Sequence, residues 1–138
     1  MGPVAKVVID SNVFISAFGW DGKPESVLRL MEQGRIRNYL STDIFDELKR
    51  VVAYPKLKFS PTLQVKLLEF VFCCSSVITP AESVAVVADD PDDDKFIACA
   101  LAANASHLIS GDPHLLSIAS HQDIQIVTPA HFLDSFGF

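Results

Sequence analysis

The apolar residues of this chain switch repeatedly between a strand rhythm and a helix rhythm. Val4 to Ile9 is a mostly β-branched run, which predicts a buried strand with Asp10 at its carboxyl tip. A short helix is expected over Asn12 to Phe18, closed by Gly19. Asp21-Gly22 marks a turn, and Pro24 suits the first turn of a helix whose stripe is Val27, Leu28, Leu30 and Met31, up to Gly34. Tyr39 and Leu40 read as a short strand. Ser41 or Thr42 can cap the next helix, where Ile44, Phe45, Leu48, Val51 and Val52 keep helical spacing until Pro55 ends it. Ser60-Pro61 opens a further helix to about Phe72.

In the second half Ser76 to Thr79 is strand-like and Pro80 breaks it. An acidic segment from Asp89 to Asp94 leads into a helix in which Phe96 to Ala103 is apolar almost all round, so that helix must lie deep. His107 to Ser110 predicts a strand ending at Gly111-Asp112. A short helix over Leu115 to Ala119, a strand over Ile124 to Val127 and a C-terminal helix follow. This alternation predicts a three-layer α/β/α fold with a central, mostly parallel sheet. With no repeat or linker, residues 1–138 read as one domain. Ligands of such sheets bind outside the carboxyl ends of the strands, where Asp10 and Asp112 both fall.

Composition supports this reading. A chain of 138 residues that is 49% apolar can bury a core without staples. The three cysteines form no disulfide framework or zinc spacing, and reduced, mostly buried thiols are expected. The longest apolar stretch, Phe96 to Ala103, is far too short for a membrane span, and no signal-peptide pattern opens the chain, so a cytoplasmic protein without membrane contact is expected.

The net charge of −6 argues against holding nucleic acid by bulk electrostatics. It conceals an asymmetry, however: residues 1–66 carry 10 of the 11 basic groups and a net of +3, and residues 67–138 a net of −9. Such a split suits a polyanion held at one edge and reached through cations at the other, as it also suits a merely solvated acidic surface. His107, His114, His121 and His131 follow no metal-ligand spacing and read as surface or structural residues. No phosphate-binding glycine loop occurs, and Ser110-Gly111 lacks the flanks of a nucleophile elbow. Trp20, in a loop near Gly19 and Gly22, suits a base-stacking residue and, more readily, a partly buried anchor or a partner contact.

The acids carry the candidate chemistry. Asp10 and Asp112 each suit a helix N-cap, Pro113 falling at the first helical position after the latter. The cluster Asp89, Asp90, Asp92, Asp93 and Asp94 exceeds any capping need. Each further pair at about 4 Å costs roughly 1 kcal/mol in water and up to about 4 near a protein surface, unless a cation relieves it. Oxygen donors without His or Cys favour Mg²⁺ or Mn²⁺. On its helix, Glu47 falls just outside the apolar face and can point toward the strand tips, whereas Asp46 lies almost opposite. An exposed Glu47 paired with Lys49 or Arg50 is the plainer alternative.

Taken together, the run Val7-Val8-Ile9-Asp10-Ser11-Asn12, then Glu47, then Asp92-Asp93-Asp94-Lys95-Phe96-Ile97-Ala98, then Leu108-Ile109-Ser110-Gly111-Asp112, resembles the PIN-domain nucleases. Within them it looks most like the bacterial branch of toxin components of toxin–antitoxin systems. The resemblance implies that Asp10, Glu47, Asp94 and Asp112 hold one or two Mg²⁺ or Mn²⁺ ions, with Asp92 and Asp93 able to share the third position. It matches Asn12 to the family's asparagine. Ser110 stands where many relatives have Thr, and both would be supporting or substrate-orienting groups. The implied activity is hydrolysis of RNA, with a homodimer and an antitoxin protein as partners. Arg35, Arg37, Lys49, Arg50, Lys56 and Lys58 are candidates for RNA-backbone contacts beside the pocket. Two other functions fit the strand-end acids: a non-catalytic binding module of the same fold, and a receiver-like phosphotransfer domain, although the latter usually needs a late strand-end Lys and no base follows Lys95.

Overall fold

The computed structural model of the chain describes residues 4–19, 22–80 and 93–136. Its sheet contains β1 (Ala5–Ile9), β2 (Ile36–Leu40), β3 (Ser75–Val77), β4 (His107–Ile109), β5 (Ser120–His121) and β6 (Ile124–Val127), in the spatial order β3-β2-β1-β4-β6-β5. Every pairing is parallel except that of β5 with β6. Helices α1 (Ser11–Gly19) and α2 (Lys23–Glu32) connect β1 to β2, and α3 (Thr42–Val52) and α4 (Pro61–Cys73) connect β2 to β3. Helix α5 (Asp94–Ala103) precedes β4, α6 (Pro113–Leu116) follows it, and α7 (Pro129–Phe136) follows β6.

The three residues Val7, Val8 and Ile9 are all buried although they point alternately to opposite faces, so both faces of β1 are covered. Helix α5 lies on β1, β2 and β4 and buries Phe96, Ile97, Cys99 and Ala100, while α2 packs on β2 and against α1 and α7. Local chemistry sets the helix starts. Ser41 Oγ accepts from the Ile44 N–H at 3.3 Å and Ser60 Oγ from the Leu63 N–H at 3.1 Å, caps that typically contribute about 1 kcal/mol each. Asn104 ends α5 in the left-handed conformation that a short amide tolerates.

From β1 the chain first builds outward through β2 to β3, then crosses to place β4 on the other side of β1. The connections at the carboxyl ends of β1 and β4 therefore diverge and leave a crevice between them. Its floor is pinned by Asn38, a fully buried polar residue of β2. The Asn38 Oδ1 accepts from the Ile9 N–H at 3.0 Å and its Nδ2 donates to Ser75 Oγ at 2.8 Å, joining β1, β2 and β3 through one side chain. One residue later the ladder passes to the other neighbour, as the Asp10 N–H donates to the Ile109 carbonyl at 2.9 Å.

Several details differ from the sequence reading, among them α6, which spans Pro113–Leu116 rather than Leu115 to Ala119. Strand β2 begins at Ile36 rather than Tyr39, because Ile36, Asn38 and Leu40 alternate inward past the polar residues between them. Strand β5 has no hydrophobic signal; it exists because a turn with left-handed Gln122 folds Ser120-His121 back onto β6. The thiols are free but not mostly buried: Cys73, on the last turn of α4, is exposed, Cys74 is half-buried, and only Cys99 lies in the core. Burial pushes the Cys99 thiol up to about 12, which makes it inert at neutral pH. Among the described residues no helix is long and apolar enough to cross a membrane.

Candidate active site

Asp10 leaves β1 and enters the crevice directly, with only 4% of its surface exposed. Its Oδ2 accepts from Ser110 Oγ at 2.8 Å, and the carboxylate also accepts from the Asn12 backbone N–H, so the local start of α1 helps to aim it. Burial raises its pKa above the ordinary carboxylate value. The Ser110 and Asn12 donors oppose that shift, and the negative charges of Glu47 and Asp112 reinforce it. Carboxylates from three separate elements thus act on one another here.

Ser110 is fully buried one residue beyond β4 and links two of those acids. Its hydroxyl donates to Asp10 and accepts from the Asp112 N–H at 2.9 Å. Being closed off from solvent, Ser110 orients Asp10 rather than a substrate. The side chain of Asn12, by contrast, is exposed beside the crevice. Asp112 caps α6, its Oδ1 accepting from the His114 N–H at 2.9 Å.

Glu47 projects from α3 and is held on both oxygens. Ser11 Oγ donates to Oε2 at 3.0 Å, and the Lys95 ammonium lies 3.0 Å from Oε1, with 18% of the Lys95 side chain and 23% of the Glu47 side chain exposed. Its neighbour Asp46 instead pairs with Lys49 in solvent at 3.1 Å. At the start of α5 the acids divide. Asp93 is buried on the side of Phe96 and Ile97, Asp94 is half-buried one step round the helix, and Asp92 lies outside the described residues, as do Asp89, Asp90 and Trp20.

The basic residues scatter. Arg35 and Arg37 do not flank the crevice, which corrects the sequence reading. Arg35 precedes β2 and lies over the Phe136 ring, and Arg37 donates from Nε to Ser76 Oγ at 2.7 Å. The parallel register Ala5↔Ile36 puts Arg35 about 20 Å from Asp10, at roughly 3.3 Å per residue along the strand. The misplacement follows from starting β2 too late, which hides that Arg37 lies within the strand and Arg35 just before it, at the amino end of the sheet. Lys49 is engaged by Asp46, and Lys56 lies near the Tyr54 ring in a 3-10 turn that ends at left-handed Lys58. Arg50 is exposed on α3, three residues after Glu47 and therefore on the same side of the helix.

Sequence reasoning passed over Ser11, Lys95 and Asn38. Lys95 did leave a signal: it is the single base of residues 67–138 and sits in the first turn of a helix, where the backbone dipole disfavours a cation. His107 is structural, with its ring against Phe132 and its pKa lowered by burial and by His131.

The donor set suits a hard divalent cation: Asp10, Glu47 and Asp112 offer carboxylate oxygens, and their mutual repulsion is expressed at Asp10. Among the described residues no three acidic, His or Cys side chains stand together as a ready-made ligand cluster. Glu47 is instead turned to Ser11 and Lys95, and Asp112 to the start of α6.

An α/β domain with an acidic crevice at the switch point of its parallel sheet is the class that fold and site define. A PIN domain profile matches residues 6–114, a span that includes Asp10, Glu47, the α5 acids and Asp112, and the chain belongs to the PIN domain family. The PIN domain is in general a nuclease fold, and its members usually employ divalent metal ions. The chain is also similar to the uncharacterized protein MJ1680 of Methanocaldococcus jannaschii, at 34% identity over 143 residues, covering 95% of this chain and 91% of that one.

Proposed function

We propose that the protein is a metal-dependent ribonuclease. The observation that carries this reading is the gathering of Asp10, Glu47 and Asp112 around two serines: Ser110 Oγ donates to Asp10 and accepts from the Asp112 N–H, and Ser11, next to Asp10, donates to Glu47. Asp10, Glu47 and Asp112 would hold Mg²⁺ or Mn²⁺, with Asp94 or Asp93 completing the set from the start of α5. A bound ion of this kind lowers the pKa of a water and offsets charge on the attacked phosphate.

The protein's own residues supply aim and exclusion. Ser110 and the Asn12 N–H fix the Asp10 carboxylate, and Ser11 fixes Glu47. The surrounding core, Ile9, Ile109 and Phe96 among it, denies bulk water a path from below. The exposed Asn12 amide can hydrogen-bond a substrate phosphate or sugar, and Arg50 can contact the adjoining backbone phosphate. In the hydrolysis a water oxygen bonds to phosphorus, one ester P–O bond breaks, and the departing oxygen gains a proton.

The choice of RNA, a homodimer and an inhibitory antitoxin protein are proposals that rest on the resemblance to toxin-type PIN domains, and a cytoplasmic setting is a proposal that rests on the sequence pattern. Incubation of purified protein with structured and unstructured RNAs, with and without Mn²⁺, tests the activity. Cleavage that requires metal and disappears in Asp10→Asn is expected. Metal-independent cleavage overturns the metal-dependent reading, and no cleavage of any substrate overturns it in favour of a non-catalytic binding module. A stable acyl phosphate on Asp10 or Asp112 after exposure to acetyl phosphate would establish phosphotransfer instead. Light scattering of the pure chain measures its oligomeric state, and co-purification with the product of a neighbouring gene tests for an antitoxin.

A further inference from the structure

The ion pairs Glu25–Arg29 and Asp46–Lys49 join residues three or four apart on one helix and are largely exposed. The Glu47–Lys95 pair is different in kind. It joins α3 to α5, its side chains are mostly buried, and it lies in the acidic crevice itself. A lysine in the first turn of α5 opposes the helix dipole, so helix stability gives no reason for its place there. Its ammonium is paired with Glu47, whose second oxygen is already occupied by buried Ser11. Both oxygens of the one acid that α3 contributes are therefore engaged before any divalent cation arrives.

We propose that Lys95 is a positioning residue that acts as a resident counter-ion: it holds Glu47 in the crevice in the metal-free protein and must release that carboxylate when a divalent cation takes it. The proposal rests on the reading of the crevice as a metal site. Its consequence is an antagonism. Ammonium and divalent cation compete for Glu47, and the retained positive charge nearby repels the ion, so Lys95 keeps metal affinity lower than the same acids would otherwise give. The released ammonium stays within the pocket as the one base of its acidic half, where its charge favours an incoming phosphate.

The test is a calorimetric titration of wild type, Lys95→Gln, Lys95→Arg and Asp10→Asn with Mn²⁺ alone, in the absence of RNA. Lys95→Gln should bind Mn²⁺ about tenfold more tightly than wild type, because it removes both the competitor and its repulsion. Lys95→Arg keeps the charge and should stay close to wild type, a contrast that a merely space-filling role for Lys95 does not produce. Binding by Lys95→Gln where wild type shows none would support the proposal in its strongest form. Wild-type binding with equal or weaker binding by Lys95→Gln overturns this proposal alone. Absence of binding by both overturns it together with the metal-site reading. A second measurement needs no variant: in wild-type protein labelled at lysine, the Lys95 ammonium signal should shift as Mg²⁺ reaches saturation. An unchanged Lys95 signal at saturation would equally refute displacement.

Discussion

At the carboxyl end of the sheet carboxylates are gathered and held in place: Asp10 is buried, Glu47 is pinned by Ser11 and the Lys95 ammonium, and Asp112 is tied to Ser110 through its own backbone N–H. At the amino end three bases lie on the surface against rings or a hydroxyl: Lys6 over the Tyr39 ring, Arg35 over Phe136, and Arg37 against Ser76. The second arrangement costs the fold little, since long basic side chains cover apolar rings and keep their heads in water. The first is a burden on the metal-free fold, because burial and mutual repulsion both disfavour the ionised form of Asp10. A burden retained at one end of a domain whose other end shows none marks the end where chemistry is done.

The sharpest way to break that contrast is to neutralise acids at one end and reverse bases at the other. Asp10→Asn or Glu47→Gln should lower metal-dependent cleavage by about 100-fold or more, since even groups that merely support ligands commonly contribute 10- to 100-fold. Asp46→Asn, one residue from Glu47 but paired in solvent, should stay near wild type. Arg35→Glu combined with Arg37→Glu should also leave cleavage unchanged. Comparable losses across all four would show that the two ends do not differ.

Ser110 is the next test. Ser110→Ala leaves both acids present and removes only the hydroxyl between them, so a loss of about 10- to 100-fold in cleavage is expected. Ser110→Thr, which keeps the hydroxyl, should recover most of it. An alanine variant as active as wild type would reduce Ser110 to a packing residue.

Much of the fold was legible because it rests on short-range signals. The β-branched run before Asp10 is a strand, Ser41 and Ser60 cap the helices they precede, and the all-round apolar stretch after Asp94 is the helix that spans the sheet's centre. The direction of Glu47 away from Asp46 was also legible, since it follows from helical phase. The rest depends on strand pairing, which leaves no local trace. Whether Arg37 borders the crevice turns on where β2 starts and which way it runs beside β1. Lys95 and Glu47 meet across 48 residues only once α5 packs beside α3. Asn38 reads as a polar interruption of a strand until the neighbours on both sides are in place.

Asn38 offers a stability test of the floor beneath the acids. Asn38→Ala removes both bonds and leaves the Ile9 N–H buried without an acceptor, which should cost about 1–3 kcal/mol in urea unfolding. A change within about 0.5 kcal/mol, the range of ordinary surface substitutions, would mean that this bridge is dispensable. Smaller still should be the effect of Arg50→Glu. It ought to weaken RNA binding modestly and reduce the salt slope by about 0.7 for each phosphate of a single strand that is no longer neutralised, with Mn²⁺ affinity unchanged. An unaltered slope would remove Arg50 from the interface.

The last expectation concerns Asp10 and pH, in metal-free protein kept in EDTA. Its folded pKa lies above the unfolded value of 3.8, so between the two values the folded state binds more protons than the unfolded one. The contribution of Asp10 to stability is then fully present below 3.8 and is lost as pH rises through the raised value. His107 works in the opposite sense, because a histidine with lowered pKa adds stability as pH rises. A single melting curve against pH therefore mixes the two, and the informative quantity is the difference between Asp10→Asn and wild type, in which His107 cancels. Asparagine can still accept from Ser110 Oγ and carries no charge, so the variant's melting temperature should gain on wild type as pH rises from 4 toward neutrality. Saturating Mn²⁺ at neutral pH should then reverse the ranking. Wild type gains RT ln(1 + [Mn²⁺]/Kd), about 2.7 kcal/mol at 100 times Kd, and the variant gains much less. A pH-independent difference would mean that Asp10 is not strained by its burial. An unreversed ranking in metal would mean that the strain serves no cation.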